Sequence, residues 1–443
     1  MSAGRSRIQS SGLAAKVLAG AVAVCASGFV HADSFKVGVI SLLSGPAAES
    51  FGTPNVNAAR LLAEKLNRGE APGAYKTKGI GGMAIELVLV DEAAGATKVL
   101  DGFRSLVQRD KVDAVIGPIA SGNCLAVAPV AEQLKVFTIL SDCGTPRVFE
   151  EASYKYVFRA GAHGAMDNVA LAQYLIDEKI PMKTLSSIQP DYAYGRDAWA
   201  DFRGALDVLS PTTIIKSELW PKFGAGQYGS EISALIRDRS DVIHSSLWGG
   251  DLQAFILQAT PRGLLQNGRL ALMAAAHVLP HMGDKMPDGV IMGERGAVGP
   301  FARPSPLNDW FVNAYRDAYK QDPASASAYR MAQSLLGLKL AAEKVMSANG
   351  GKKPSAEELA KAMEGMEWDT PSGRIQMALG SRKEGRDAGE SALLRRAVYQ
   401  SPRRHEVGRL AQDELPQDGL QVRRRSGGRA NAAPPLHPSP APE

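Results

Sequence analysis

From Phe35 onward the chain alternates short apolar runs with stretches whose apolar residues recur three and four positions apart. The runs at 35–40, 84–90, 112–116 and 136–140 are rich in Val, Ile and Leu, the signature of strands buried on both faces. Between them, 54–67, 97–109 and 123–134 read as helices. In the first helix Val56, Ala59, Ala63 and Leu66 share one face, behind Thr53 as a cap and Pro54 at the first helical position. Such a series predicts a parallel sheet covered by helices on both sides. After the run 156–160 a second series follows: helix 165–177, strand 183–188, helix 195–206, strand 212–217, helix 228–237, strand 241–246, helix 251–259 and strand 270–274. A strand at 289–293, helices at 307–320, 327–348 and 355–363, and a strand at 373–378 complete the pattern. The expected class is α/β, with two Rossmann-like lobes (parallel sheets flanked by helices) joined by more than one crossing. Residues 33–160 and 289–380 are assigned to the first lobe, and 161–288 to the second.

The two ends differ in texture. Arg5, Arg7 and Lys16 precede an apolar run over 17–30, which is followed by Val30-His31-Ala32. This reads as a removable export signal over 1–32, too short for a membrane span and ending in residues that suit signal peptidase. Cys25 lies within it, and Val24 before that cysteine argues against lipid attachment. After Gly380 the pattern breaks into a basic stretch, 381–443, with Arg395-Arg396, Arg403-Arg404 and Arg423-Arg424-Arg425 and a proline-rich end. It reads as a frame-shifted or misread terminus, with a genuine disordered tail as the alternative. The formal charge of +5 comes from these ends: without 1–32 and 381–443, 36 basic residues face 38 acidic ones. In a nearly neutral body nothing demands a nucleic-acid backbone as partner, and none is expected.

Candidate chemistry lies where strands end and helices begin, the place at which doubly wound sheets bind ligands. In the first lobe three such loops carry small polar residues. They are 44–52 with Ser44 and Phe51, 117–123 with Ser121, and 141–145 with Gly144 and Thr145. Backbone N–H groups and the positive end of a helix favour an anion there, such as a carboxylate. In the second lobe Tyr194 follows one strand and Trp248 another, and His277 follows a third and is placed to reach the cleft. Cys124 and Cys143 are an even pair in an exported chain and are expected to form a disulfide at the rim, with two buried thiols as the alternative. No metal site is expected: His277 and His281 are four apart, but Pro280 stands between them. Gly-x-Ser-x-Gly, P-loop, Cys-x-x-Cys and His-Glu-x-x-His patterns are absent from the sequence, so no catalytic constellation emerges.

Taken in order, Leu43-Ser-Gly-Pro46, Val115-Ile-Gly-Pro118 with Ser121, Ser141-x-x-x-Thr145, Tyr156-x-Phe-Arg159, Tyr194-Gly195 and Gly373-x-Ile375 resemble the type I periplasmic binding proteins of the leucine/isoleucine/valine-binding family over about residues 35–380. The resemblance implies a non-enzymatic, monomeric, periplasmic receptor of an ABC importer, without cofactor, whose two lobes are joined by three crossings. It would capture an amino acid or related carboxylated metabolite and present it to an inner-membrane permease. By the same resemblance, the loops of Ser121 and Gly144-Thr145 hold the ligand's carboxylate and amine, and aromatic residues at Trp248 and near Tyr194 face them from the other lobe. The stretch Ala274-Ala-Ala-His277 lacks the acidic residue that amino-acid-specific relatives often carry there. Asp251 is a substitute, or the ligand is a carboxylate without an amine, including an aromatic one. The third crossing would fall where the basic stretch stands. A bilobal sensor for a membrane signalling partner and an exported α/β hydrolase are the alternatives; the missing nucleophile motif opposes the latter.

Overall fold

The computed structural model describes residues 34–379 except 267 and 324, together with two short strands beyond Gly380. The export signal expected over 1–32, and the basic stretch apart from those two strands, lie outside the described residues. The first lobe runs β1 (Phe35–Ser41), α1 (Thr53–Arg68), β2 (Ile85–Asp91), α2 (Ala96–Gln108), β3 (Ala114–Ile116), α3 (Ser121–Leu134), β4 (Thr138–Leu140), α4 (Arg147–Glu150) and β5 (Val157–Arg159). The second contains α5 (Gly164–Asp177), β6 (Thr184–Ile188), α6 (Ala193–Leu209), β7 (Ile214–Leu219), α7 (Gly229–Asp238), β8 (Val242–Ser245), α8 (Gly249–Ala259), β9 (Arg269–Leu272), α9 (Leu279–Met282) and β10 (Ile291–Gly293). The chain then returns through α10 (Pro306–Tyr319), α11 (Ala326–Ala348), α12 (Ala356–Met363), β11 (Glu367–Thr370), β12 (Gly373–Met377), β13 (Gly385–Asp387) and β14 (Val398–Gln400).

The first sheet has the order β2-β1-β3-β4-β5 and is parallel throughout. Its interior strand β1 is buried along almost its whole length, as a strand covered on both faces must be. One face packs α1, α10, α11 and α12 around Phe35, Leu62, Phe137, Phe158, Phe311 and Leu335. The other carries Val99, Phe103 and Leu106 of α2 and Val127 of α3. The second sheet has the order β14-β10-β9-β8-β6-β7 and is parallel except for β14. Its edge strand β7 alternates exposed and half-buried residues, the pattern of a strand with one side toward water.

Three details depart from the sequence expectation. Strand β10 pairs with β9 in the second sheet, so the chain returns to the first lobe after Gly293 rather than at 289. The fold also continues past Gly380. β13 extends the antiparallel β11-β12 pair and β14 pairs with β10 at the edge of the second sheet. The sequence hid both strands because Gly385–Asp387 holds no apolar residue and Val398–Gln400 stands alone between arginine pairs, so neither makes an apolar run. Finally, Thr53 does not cap α1. A five-residue π-helical turn, Ala48–Gly52, runs straight into the helix, so Thr53 is its first residue and the preceding Gly52 makes no side-chain bond. Gly52 is required there, because a Cβ would lie 1.7 Å from the Leu42 carbonyl oxygen.

The lobes are closed on each other. Leu42, Ala47, Phe51 and Ile119 of the first belong to the same apolar cluster as Tyr194 and Trp248 of the second. The Gly250 N–H donates to the Pro46 carbonyl across the gap at 3.0 Å.

Candidate functional site

Between the closed lobes a cleft, enclosing about 400 Å³ with its opening to solvent included, is lined by Phe51, Ser121, Asp142 and Gly144 from the first lobe. Tyr192, Tyr194, Trp248 and His277 line it from the second, and Glu294 and Arg295 from the crossing after β10. Each group stands at the carboxyl end of a parallel strand, which fixes its position by backbone rather than by long side-chain reach. Of the residues singled out in the sequence, Phe51, Ser121, Gly144, Tyr194, Trp248 and His277 come together here.

Ser44 and Thr145 are placed elsewhere. The Ser44 hydroxyl donates to Asp91 at 2.6 Å on the exposed side of its loop. Thr145 is fully buried: its N–H donates to Ser121 Oγ at 3.1 Å and its hydroxyl donates to Asp197 of α6 at 2.5 Å. Thr145 therefore joins the lobes and orients Ser121, acting on a ligand through other groups. Replacing it with Val removes a bond to a charged acceptor in the closed form only. The expected result is ligand affinity about tenfold weaker in calorimetry, with an unchanged unfolding midpoint for the open protein. Unchanged affinity would remove the bond to Asp197 from the closing interaction.

The aromatic wall is built by mutual contact. Trp248 meets Phe51 edge-on with ring centroids 5.3 Å apart, stacks on Phe223 at 5.2 Å, and donates its indole N–H to the Tyr192 hydroxyl at 3.0 Å. Gly249 follows with φ of +59°, which favours glycine, and its N–H donates to His277 Nε2 at 2.8 Å. Because that nitrogen accepts, neutral His277 carries its proton on Nδ1. Burial holds the imidazole neutral, pushing its pKa down to about 3. Nδ1 has no partner in the protein. By contrast His244 is a core residue, bonded on both ring nitrogens by Gln189 and Asn168 and stacked on Phe202.

The charged groups were missed in the sequence. Arg295 pairs with Asp142 of the first lobe and Asp167 of α5, both at 2.8 Å, and all three are buried. Arg330 of α11 donates to the Arg295 carbonyl at 2.6 Å, tying the crossing to the first lobe. The pointer was an acid-arginine dipeptide placed directly after an apolar strand run, where a surface pair is the commoner outcome. Glu92, also missed, accepts from the N–H groups of Ile119 and Ala120 at 2.8 and 2.9 Å. Burial pushes its carboxyl up to about 7, against the pull of Asn123 and those N–H groups. Two of the donors expected to meet a ligand's anion before α3 are thus already engaged.

Two further expectations are corrected. Cys124 and Cys143 are free and buried, so the disulfide is not formed. The Cys124 thiol points toward the carbonyl oxygens of Pro118 and Ile119, both at 3.7 Å, and burial followed by the neighbouring Cys143 raises its pKa. Asp251 does not reach the cavity, because its carboxylate accepts from the N–H groups of Gly224 and Gly226.

Two α/β lobes and a polar-aromatic cavity between them define a bilobal ligand-binding protein. A family model for periplasmic binding proteins matches residues 34–393, and the chain belongs to that family. It is accordingly a binding protein and not an enzyme. It is similar to the Leu/Ile/Val-binding protein homolog 6 of Brucella melitensis biotype 1, 25% identical over 369 residues, 82% of this chain and 88% of that protein. A leucine-specific-binding protein of Salmonella typhimurium is 22% identical over 248 residues, 56% of this chain; the match spans 63% of that protein, under two thirds of its length. Among solved structures, a solute binding protein of an ABC transporter from Rhodopseudomonas palustris BisB5, in complex with 3,4-dihydroxy benzoic acid, has a TM-score of 0.68 at 24% identity. That alignment covers 80% of this chain and 90% of the other. A branched-chain amino acid transporter substrate binding protein of Streptococcus pneumoniae, in complex with isoleucine, has a TM-score of 0.67 at 18% identity, covering 80% and 94%.

Proposed function

We propose that this chain is the periplasmic receptor of an ABC importer, which captures a small carboxylated metabolite by closure of its lobes and delivers it, as a monomer, to a membrane permease. The observation carrying this reading is the inter-lobe cavity, in which Asp142 Oδ2, His277 Nδ1 and Glu294 Oε2 are buried without a partner in the protein. Buried polar atoms are nearly always satisfied, so three around one cavity point to a ligand that satisfies them. The His277 Nδ1–H and the Ser121 hydroxyl are donors suited to a carboxylate. The aromatic wall suits an apolar side chain or ring. Residues from both lobes face the cavity, so a bound ligand favours the closed state that a permease would read. The relatives' amino-acid and benzoate ligands bracket the expected class, and an export signal over 1–32 would deliver the chain to the periplasm.

The test is a thermal-shift screen of amino acids and of aromatic and aliphatic acids on the chain from Asp33 onward. A ligand at 100 times its Kd adds about 2.7 kcal/mol, a shift on the order of 5 °C. No shift from either class at millimolar concentration would overturn the reading.

A further inference from the structure

We infer that Glu294, with Asp142 facing the same space, determines specificity by seating a hydrogen-bond donor of the ligand, so that the cleft takes carboxylates bearing an ammonium or hydroxyl group and disfavours the bare acid. This rests on the reading of the cleft as a carboxylate site and narrows its ligand class. Glu294 is the first residue after β10, and 3% of it is exposed. Its Oε1 accepts from the Arg295 N–H at 2.9 Å, whereas Oε2 has no partner. Asp142 is equally buried; its Oδ1 pairs with Arg295 and its Oδ2 has none. The cavity-lining cation Arg295 spends Nε on Asp167 and Nη1 on Asp142, so only its Nη2, beside Gly144, remains for a ligand carboxylate, next to the two unpaired acid oxygens. Arg330 is directed to Gln333 and to the Arg295 carbonyl. The cleft therefore offers acceptors at its crossing end, and a bare acid leaves them desolvated and unpaired. A donor on the ligand relieves that cost.

The charges facing Glu294 set how the donor is held. Arg295 and Arg330 balance Asp142 of the β4 loop and Asp167 of α5; Tyr194 of α6 and neutral His277 add no charge. Burial pushes Glu294 up to about 7, the Arg295 N–H opposing and Asp142 reinforcing the rise. Its neutral form leaves the set balanced, and its ionised form adds a negative charge that an ammonium compensates. An ammonium ligand therefore binds with release of the Glu294 proton and gains affinity as pH rises through 7, while a hydroxyl ligand gains little.

Calorimetry on the chain from Asp33 onward with leucine, 4-hydroxybenzoate and benzoate, at pH 6 and pH 8, tests this. Leucine or 4-hydroxybenzoate is expected to bind at least about tenfold tighter than benzoate. Glu294→Gln should shrink that gap to under about threefold; if leucine is the ligand, its roughly tenfold gain from pH 6 to pH 8 should vanish in the variant. Asp142→Asn serves as a second variant should Glu294→Gln fail to fold, and should likewise narrow the gap. Benzoate binding as tightly as 4-hydroxybenzoate and leucine in the wild type, or an unaltered gap in a folded variant, overturns the specificity role alone. Failure of all three probes to bind removes the carboxylate reading and this inference with it.

Discussion

Trp248→Ala is expected to weaken ligand binding by about 100-fold, on the order of 2.7 kcal/mol. The indole is where the two lobes and the cavity meet. It touches Phe51 of the first lobe, stacks on Phe223 of its own, and fixes the Tyr192 hydroxyl by its N–H. Truncation removes a wall of the cavity and the apolar surface on which the 44–52 loop closes, so both direct contact and the closed population suffer. Trp248→Phe keeps an aromatic face but not the N–H, and should recover most of the loss. The check is calorimetry with whichever compound gives the largest thermal shift. Equal affinity for Trp248→Ala and the wild type would mean that the ligand does not enter this cavity.

Arg295→Met should have the largest effect on stability. The side chain is 7% exposed and its guanidinium sits between two carboxylates, and removing it leaves Asp142 and Asp167 without their ion-pair partner, buried near Glu294 with Arg330 as the remaining cation. Breaking a buried ion pair on one side costs about 3–5 kcal/mol, and for a chain of this size that lowers the unfolding midpoint by on the order of 5 °C. The sign of the pH effect follows. Burial raises the folded-state pKa values of Asp167 and Glu294 above their unfolded ones, so the folded variant holds protons that the unfolded chain releases. Its stability is greater below the unfolded values and is lost as pH rises through the folded ones. The deficit relative to wild type should therefore be larger at pH 8 than at pH 5 in thermal unfolding. Arg295→Lys should recover part of it, since a lysine cannot reproduce the planar fork to two acids. An unchanged midpoint for Arg295→Met would show that these pairs do not hold the crossing together.

Much of the architecture was legible because the interior parallel strands are covered on both faces. That makes β1, β3 and β4 continuous apolar runs between amphipathic helices, and the run at 270–274 corresponds to β9, Arg269–Leu272. The strand-end rule then pointed to the loops of Phe51, Ser121, Gly144, Tyr194 and Trp248 without any knowledge of how the lobes face each other. The same local rule placed Ser44 and Thr145 on the right loops but could not say which way each side chain turns. That depends on Asp91 for one and on Asp197, fifty-two residues away, for the other.

The charged heart of the cleft was hidden for the same reason. Glu294-Arg295 is an unremarkable dipeptide until folding brings Asp142 and Asp167 to it across more than 120 residues. Glu92 likewise looks like a surface acid until it is found beneath the N-terminus of α3, bonded to the N–H groups that seemed available to a ligand. Local periodicity and strand-end position, both set by the backbone, thus determined the two-lobed α/β plan and the loops that line its cleft. Which polar groups are consumed by the protein and which are left for a ligand was decided only by tertiary packing, because a buried charge takes its meaning from partners that the chain supplies from far away.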